Sequence, residues 1–186
     1  SKKHLMTDIF ANAKKPFYSS TAFLSINKIA KESYSSFIKK MFNDNDRTIT
    51  DETIDYILYW TRLHTYYTQS LCHAIFTNGA KDVKMDDVKK ACLEILQQNE
   101  MLYLQYRQML TNTQWNYLIA VAKEGQVTQI TAKAFLAKYN IGTPSTSKRL
   151  VNSLYEKELL SNVVTKDGTS YSVYDVFMSR WLEREF

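Results

Sequence analysis

The sequence predicts a mainly α-helical protein, a helical bundle followed by a winged-helix domain with a small β-hairpin wing. Three observations lead there. Only four glycines and two prolines occur in 186 residues, too little punctuation for a many-stranded β fold. Apolar residues recur at helical spacing along most of the chain, the primary signal of amphipathic helices. Residues 111–186 read helix, helix, helix and then hairpin, which is the order of a winged helix.

The first twenty residues are mixed. His4 to Phe10 suits a short helix with Leu5, Ile9 and Phe10 inward, and Pro16 predicts a loop over Lys14–Tyr18, because the residue before proline is forced extended. Ser25–Asp46 spaces Ile26, Ile29, Tyr34, Phe37, Ile38, Met41 and Phe42 as an amphipathic helix or a helix pair, ended by Asn43–Asp46. Thr50 then caps a new helix, with Asp51 and Glu52 complementing its positive end. Its stripe of Ile54, Ile57, Leu58, Tyr67, Leu71 and Ile75 runs to Asn78-Gly79, with a break expected near Arg62–His64. A further helix spans Asp86 to Leu110. Met101, Leu102, Tyr103, Leu104 and Tyr106 make it apolar nearly all round there, which predicts a helix wrapped on several sides at a domain junction.

In the C-terminal part, Thr113–Gly125 has Trp115, Leu118, Ile119 and Ala122 on one face and Gly125 as its stop. Ile130–Gly142 opens on Thr131 and turns Ala134, Phe135 and Tyr139 inward. Thr143–Leu160 begins with capping residues and buries Leu150, Val151, Leu154, Leu159 and Leu160. Two β-rich stretches follow around Lys166-Asp167-Gly168, and Asp-Gly is a favoured hairpin turn.

Composition and motif content argue against catalysis in this chain. The three histidines, His4, His64 and His73, are scattered; no HExxH, GxSxG or glycine-rich phosphate loop is present. The acids Asp51, Glu52, Asp55, Asp86 and Asp87 read as solvated first-turn residues, and no metal site is expected. Cys72 and Cys92 lack ligand spacing and read as buried small hydrophobes in a reducing cytosol. Neither a signal peptide nor an apolar run long enough to span a bilayer appears, so no membrane contact is expected and the location is cytoplasmic. The aromatic series Tyr56, Tyr59, Trp60, Tyr66 and Tyr67 reads as packing between bundle helices.

The formal net charge is +5, but it is unevenly placed. Residues 1–48 carry nine Lys/Arg against four Asp/Glu, residues 49–105 five against eight, and residues 106–186 ten against seven. An acidic middle between mildly basic ends suggests separate units. The third helix of a winged helix enters the major groove by its N-terminal residues. Here that position offers Thr143, Ser145, Thr146, Ser147, Lys148, Arg149 and Asn152, whose hydroxyls, amide and cations suit phosphates and base edges. Lys166 at the wing tip suits a neighbouring phosphate. Asp167, Glu156 and Glu158 oppose that footprint, and the same surface equally suits a protein partner.

With these residues in view, the chain resembles the C-terminal half of the archaeal-type, STAND-like AAA+ ATPases of prokaryotes. An S-x-x-H-x-M-x-x-I-F segment and a P-F-Y element are matched by Ser1, His4, Met6, Ile9 and Phe10, then Pro16, Phe17 and Tyr18. The family's lid motif, similar to G-H-P-Y-Y-x-Q, aligns with Leu63-His64-Thr65-Tyr66-Tyr67-Thr68-Gln69, with Leu63 and Thr65 replacing glycine and proline. The opening of the family's winged helix is matched by Leu110, Thr111, Gln114, Trp115, Leu118, Ala120, Ala122, Glu124 and Gly125.

The resemblance implies that residues 1–48 trail from an ATPase core, 49–110 form its helical lid and 111–186 the winged helix. It implies nucleotide contact at His64 and Tyr66. It also places the Walker A and B segments upstream, so ATP and Mg would belong to the parent protein; this chain would hold no cofactor and hydrolyse nothing by itself. The expected partners are the upstream ATPase domain and DNA or a protein bound by the winged helix. Two other readings stand beside this one. The first is a stand-alone winged-helix transcriptional regulator whose N-terminal helices dimerise, and the second is a protein-interaction module.

Overall fold

A computed structural model describes residues 28–186 except 166 and 167, together with Ile9, Phe10, Lys14 and Tyr18. The expected short helix at His4–Phe10, the loop at Pro16 and the N-terminal part of the resemblance lie largely outside the described residues.

Helix α1 (Lys31–Asn43) buries Tyr34, Ile38 and Phe42, one residue per turn on a single face. It starts later than the spacing from Ser25 suggests, and Ile29 is exposed. Strand β1 (Thr48–Ile49) is two residues long and leads into α2 (Asp51–Trp60). The Thr50 hydroxyl accepts from the Thr53 amide at 3.2 Å, as the capping pattern predicts. The expected break is real: α3 (Thr65–Thr77) begins after a turn in which Arg62 and Leu63 both have positive φ. A buried hydrogen bond between the Thr61 and Thr68 hydroxyls, 2.7 Å, ties the two helices across it.

Strand β2 (Asp82–Val83) pairs with β1 in parallel, a two-residue ladder invisible to periodicity. Helix α4 (Met85–Met109) then runs through the molecule. Its first half buries Val88, Ala91, Cys92, Ile95 and Leu96 against α3 and α2. Its second half buries only Tyr103, while Met101, Leu102, Leu104 and Met109 are exposed. The expectation of a helix wrapped on several sides is therefore corrected, since one side alone packs, against the C-terminal helix.

Helix α5 (Asn112–Glu124) opens with a reciprocal cap, in which the Gln114 amide donates to the Thr111 hydroxyl and the Thr111 amide to Oε1 of Gln114. It is buried on nearly every side and stops at Gly125, φ +71. Helix α6 (Lys133–Tyr139) buries Phe135 and Leu136, and its cap position is Ala132 instead of Thr131. Ala134 is exposed instead of inward. Helix α7 (Pro144–Glu156) carries Pro144 in its first turn, where the missing amide costs nothing.

Strands β3 (Leu160–Thr165) and β4 (Gly168–Val173) pair antiparallel, with Leu160 opposite Val173 and Thr165 opposite Gly168. Leu160 thus starts the wing instead of ending α7. A Val127–Tyr171 bridge adds a third backbone to the wing. Helix α8 (Val176–Glu185), absent from the sequence expectation, closes the chain. Phe177, Met178, Trp181 and Leu182 bury its inner face against α5 and α4. The fold is a helical bundle followed by a winged helix, and buried residues of both form one apolar cluster. No helix among the described residues is long and apolar enough to cross a membrane.

Candidate functional site

The exposed face of α7 gathers most of the residues proposed for contact with nucleic acid. Thr143, the residue before the helix, accepts the Ser147 amide on its carbonyl at 2.9 Å, and its own amide donates to the Thr146 hydroxyl at 3.1 Å. Thr146 is thereby engaged in the cap, although it remains exposed. Ser145, Arg149 and Asn152 follow at spacings of four and three, so they project side by side, with Lys148 at their flank. All four are exposed, and neither cation has an ion-pair partner among the described residues. Glu156 extends the same face by one turn and brings an opposing charge.

Ser147 departs from this set. It is fully buried, its hydroxyl donates to the Thr143 carbonyl at 2.7 Å, and it shares the inward face with Val151 and Leu154. It cannot meet a groove without unfolding the helix start, which removes it from the contact set. Lys166 lies outside the described residues. On the described part of the wing, Val163 and Val164 stand 57% and 76% exposed among polar neighbours.

The lid-like motif occupies the turn between α2 and α3. Leu63 takes φ +56, and Thr65 is the first residue of α3. Those backbone states suit glycine and proline respectively, so the two departures from the family pattern fall where the pattern has a conformational reason. Tyr66 is 64% exposed. The His64 ring meets Tyr67 at 4.8 Å between centroids; it remains exposed, and partial burial, then the Lys28 ammonium, pull its imidazole below the ordinary value.

Tyr67 turns instead toward the winged helix. Its ring meets Phe177 edge-on at 4.7 Å, and its hydroxyl bears on Asp175. Burial pushes that phenol well above the usual range. The Tyr103 hydroxyl nearby is buried with no partner among the described residues.

Between the bundle and the winged helix lies an open cleft of about 550 Å³, lined by Lys31, Tyr59, Arg62, Lys123 and Glu183 among others. Its charges are largely paired within the protein: Lys31 with Asp55, Glu124 with Lys138, and Glu183 with both Arg62 and Arg180. Burial pushes the Cys72 and Cys92 thiols up to about 12, so neither is a ready nucleophile at neutral pH. Among the described residues no group of three His, Cys, Asp or Glu is placed to hold a metal ion. Sequence reasoning missed Arg62, Arg180 and Glu183. Arg180 and Glu183 lie on the unexpected helix α8, where the capping acid Asp175 ahead of spaced apolar residues was the available signal.

Comparison with known proteins bears on both halves. Residues 101–184 match a family model described as a probable winged helix domain. No curated protein matches the chain. Among solved structures, a Walker-type ATPase of Pyrococcus abyssi superposes with a TM-score of 0.65 at 15% identity. The superposition covers 96% of this chain and 49% of the ATPase, so the chain spans about half the length of that protein. The C-terminal part is thus a winged helix, a kind of domain that binds DNA or protein and is typically non-catalytic, and nearly the whole chain shares its fold with about half of an ATPase.

Proposed function

We propose that this chain is the non-catalytic lid and winged-helix region of a prokaryotic ATPase of the AAA+, STAND-like kind, and that its winged helix binds DNA through α7. The observation that carries the DNA reading is the pair of exposed cations, Lys148 and Arg149, which have no ion-pair partner among the described residues, beside Ser145 and Asn152 on the outer face of α7. Exposed cations at the start of a third helix are what phosphate contact requires, and the neighbouring amide and hydroxyl suit base edges. The similarity in fold to a Walker-type ATPase supports the ATPase reading. On it, residues 1–48 trail from the nucleotide-binding core, 49–110 form the lid and 111–186 the winged helix. ATP and Mg bind upstream, and lid movement repositions α7 on its partner. His64 and Tyr66, both exposed, remain the nucleotide-facing candidates of the lid.

Fluorescence anisotropy with duplex DNA across a salt series tests the DNA reading. Affinity falls with salt, and Lys148→Glu with Arg149→Glu lowers the slope by about 2, since each lost phosphate contact removes roughly 0.9. Binding indifferent to salt and to both substitutions overturns it. A protein partner is the second reading, favoured by the exposed Val163 and Val164 on the wing. The stand-alone regulator stays distinguishable by its dimerisation and its preference for palindromic sites.

A further inference from the structure

The turn between α2 and α3 holds two consecutive non-glycine residues in the left-handed region, Arg62 at φ +53 and Leu63 at φ +56. L-residues adopt that conformation at a cost, so the surroundings must hold them there. The turn sends the Arg62 side chain out of the bundle and into the winged helix. Its Nη1 donates to the carbonyl of Gly125, where α5 ends, at 3.2 Å. Its Nη2 donates to the Ser179 hydroxyl at 2.9 Å and to Oε1 of Glu183 at 2.5 Å.

Arg180 reaches back from α8 to the bundle. Its Nε and Nη2 donate to the carbonyls of Trp60 and Tyr59, at 2.9 and 2.8 Å, closing the C-terminal end of α2, and its Nη1 donates to Oε2 of Glu183 at 2.7 Å. One carboxylate therefore takes a guanidinium from each half of the molecule. The three side chains retain only 20%, 12% and 23% exposure, so water competes weakly for these bonds. Both guanidinium groups are engaged by protein acceptors, which makes the cluster a fastener and leaves little for an outside anion. Beside it, the Trp60 and Phe177 rings pack at 5.4 Å.

We infer that Arg62 latches the bundle and the winged helix into one rigid body, so that the bundle sets the orientation of α7 and delivers any displacement to it whole. A flexible joint between the two would leave α7 free to turn, and a movement of the bundle would be dissipated before it reached the binding face. The inference goes beyond the ATPase reading and does not depend on it. Its test needs neither nucleotide nor DNA, so its failure would leave that reading standing.

The test is a spin-label distance measurement between Glu52→Cys on α2 and Ala137→Cys on α6, both exposed positions. Cys72, half-buried, and Cys92, buried, are first replaced by alanine so that only the introduced thiols take label. The latched chain gives a single narrow distance. Arg62→Ala adds a second, shifted population while far-ultraviolet circular dichroism is unchanged, and Arg62→Lys, which keeps the charge but not the fork, falls between. Glu183→Gln serves in place of Arg62→Ala if that variant does not fold. A distribution that the substitutions leave superimposable on the native one, or a native chain that already shows two distances, overturns the latch.

Discussion

Tyr67 meets Phe177 edge-to-face at 4.7 Å, so the helix that carries the lid-like motif packs directly on the last helix of the winged helix. Phe177 also contacts Trp60 at 5.4 Å and is 7% exposed, which makes it the apolar centre of the junction. Phe177→Ala leaves a cavity bordered by both aromatic neighbours, at a cost of about 3–5 kcal/mol. Differential scanning calorimetry should show a melting temperature lower by about 10 °C, given roughly 2–4 °C per kcal/mol at this size. A shift within error would mean that the two halves do not depend on each other for stability.

Asp175 gives a prediction whose sign depends on pH. Its Oδ1 accepts the Phe177 amide at 2.8 Å and the Met178 amide at 3.1 Å, capping α8. Burial nevertheless raises its carboxyl above the ordinary value of 3.8, outweighing those two bonds, Tyr67 and His64. A group whose folded pKa is raised contributes stability below its unfolded value and loses it as pH rises through the folded value. At neutral pH the buried charge is therefore a net cost. Asp175→Asn keeps a good capping oxygen and removes the charge, so its melting temperature at pH 7 should equal or exceed that of the native chain. The difference should shrink as pH falls toward 3.8. Asp175→Ala loses the cap as well and should cost about 1 kcal/mol. An asparagine variant that melts lower at pH 7 would contradict the account.

The local parts of this structure were legible in the sequence. Thr50 caps α2, and Gly125 ends α5 where a positive φ is required, as expected; the reciprocal cap of Thr111 and Gln114 went unread, because the helix was expected to start at Thr113. What else escaped depends on distant partners. Arg62 reads as an ordinary surface cation until two left-handed residues turn it toward Glu183, 121 positions away. The β1–β2 ladder is two residues long and carries no periodic signal. Met101, Leu102, Leu104 and Met109 are as apolar as buried residues but stay exposed, because only the Tyr103 side of α4 meets α8. Two omissions were avoidable. Asp175 followed by Val176, Phe177, Trp181 and Leu182 is a capped amphipathic helix. Ser147, Val151 and Leu154, at spacings of four and three, share one face whose other members are apolar.

That spacing makes Ser145 and Ser147 opposites despite being two residues apart. Ser147 is fully buried beside Tyr117 and donates to the Thr143 carbonyl at 2.7 Å, whereas Ser145 is exposed on the outer face of α7. Ser147→Lys forces an ammonium into a fully buried position, which is severely destabilising, so thermal melting should drop steeply and DNA binding should vanish with the fold. Ser147→Ala is the milder control. It removes one buried hydrogen bond at a cost of about 1 kcal/mol and leaves the DNA affinity of the folded chain unchanged. Ser145→Lys adds a third cation beside Lys148 and Arg149. Its melting temperature should stay near the native value, while its affinity for duplex DNA at low salt rises and the salt slope steepens by about 1. If Ser145→Lys leaves DNA affinity unchanged at low salt, the outer face of α7 does not lie against phosphate, and the exposed valines of the wing become the better guide to the partner.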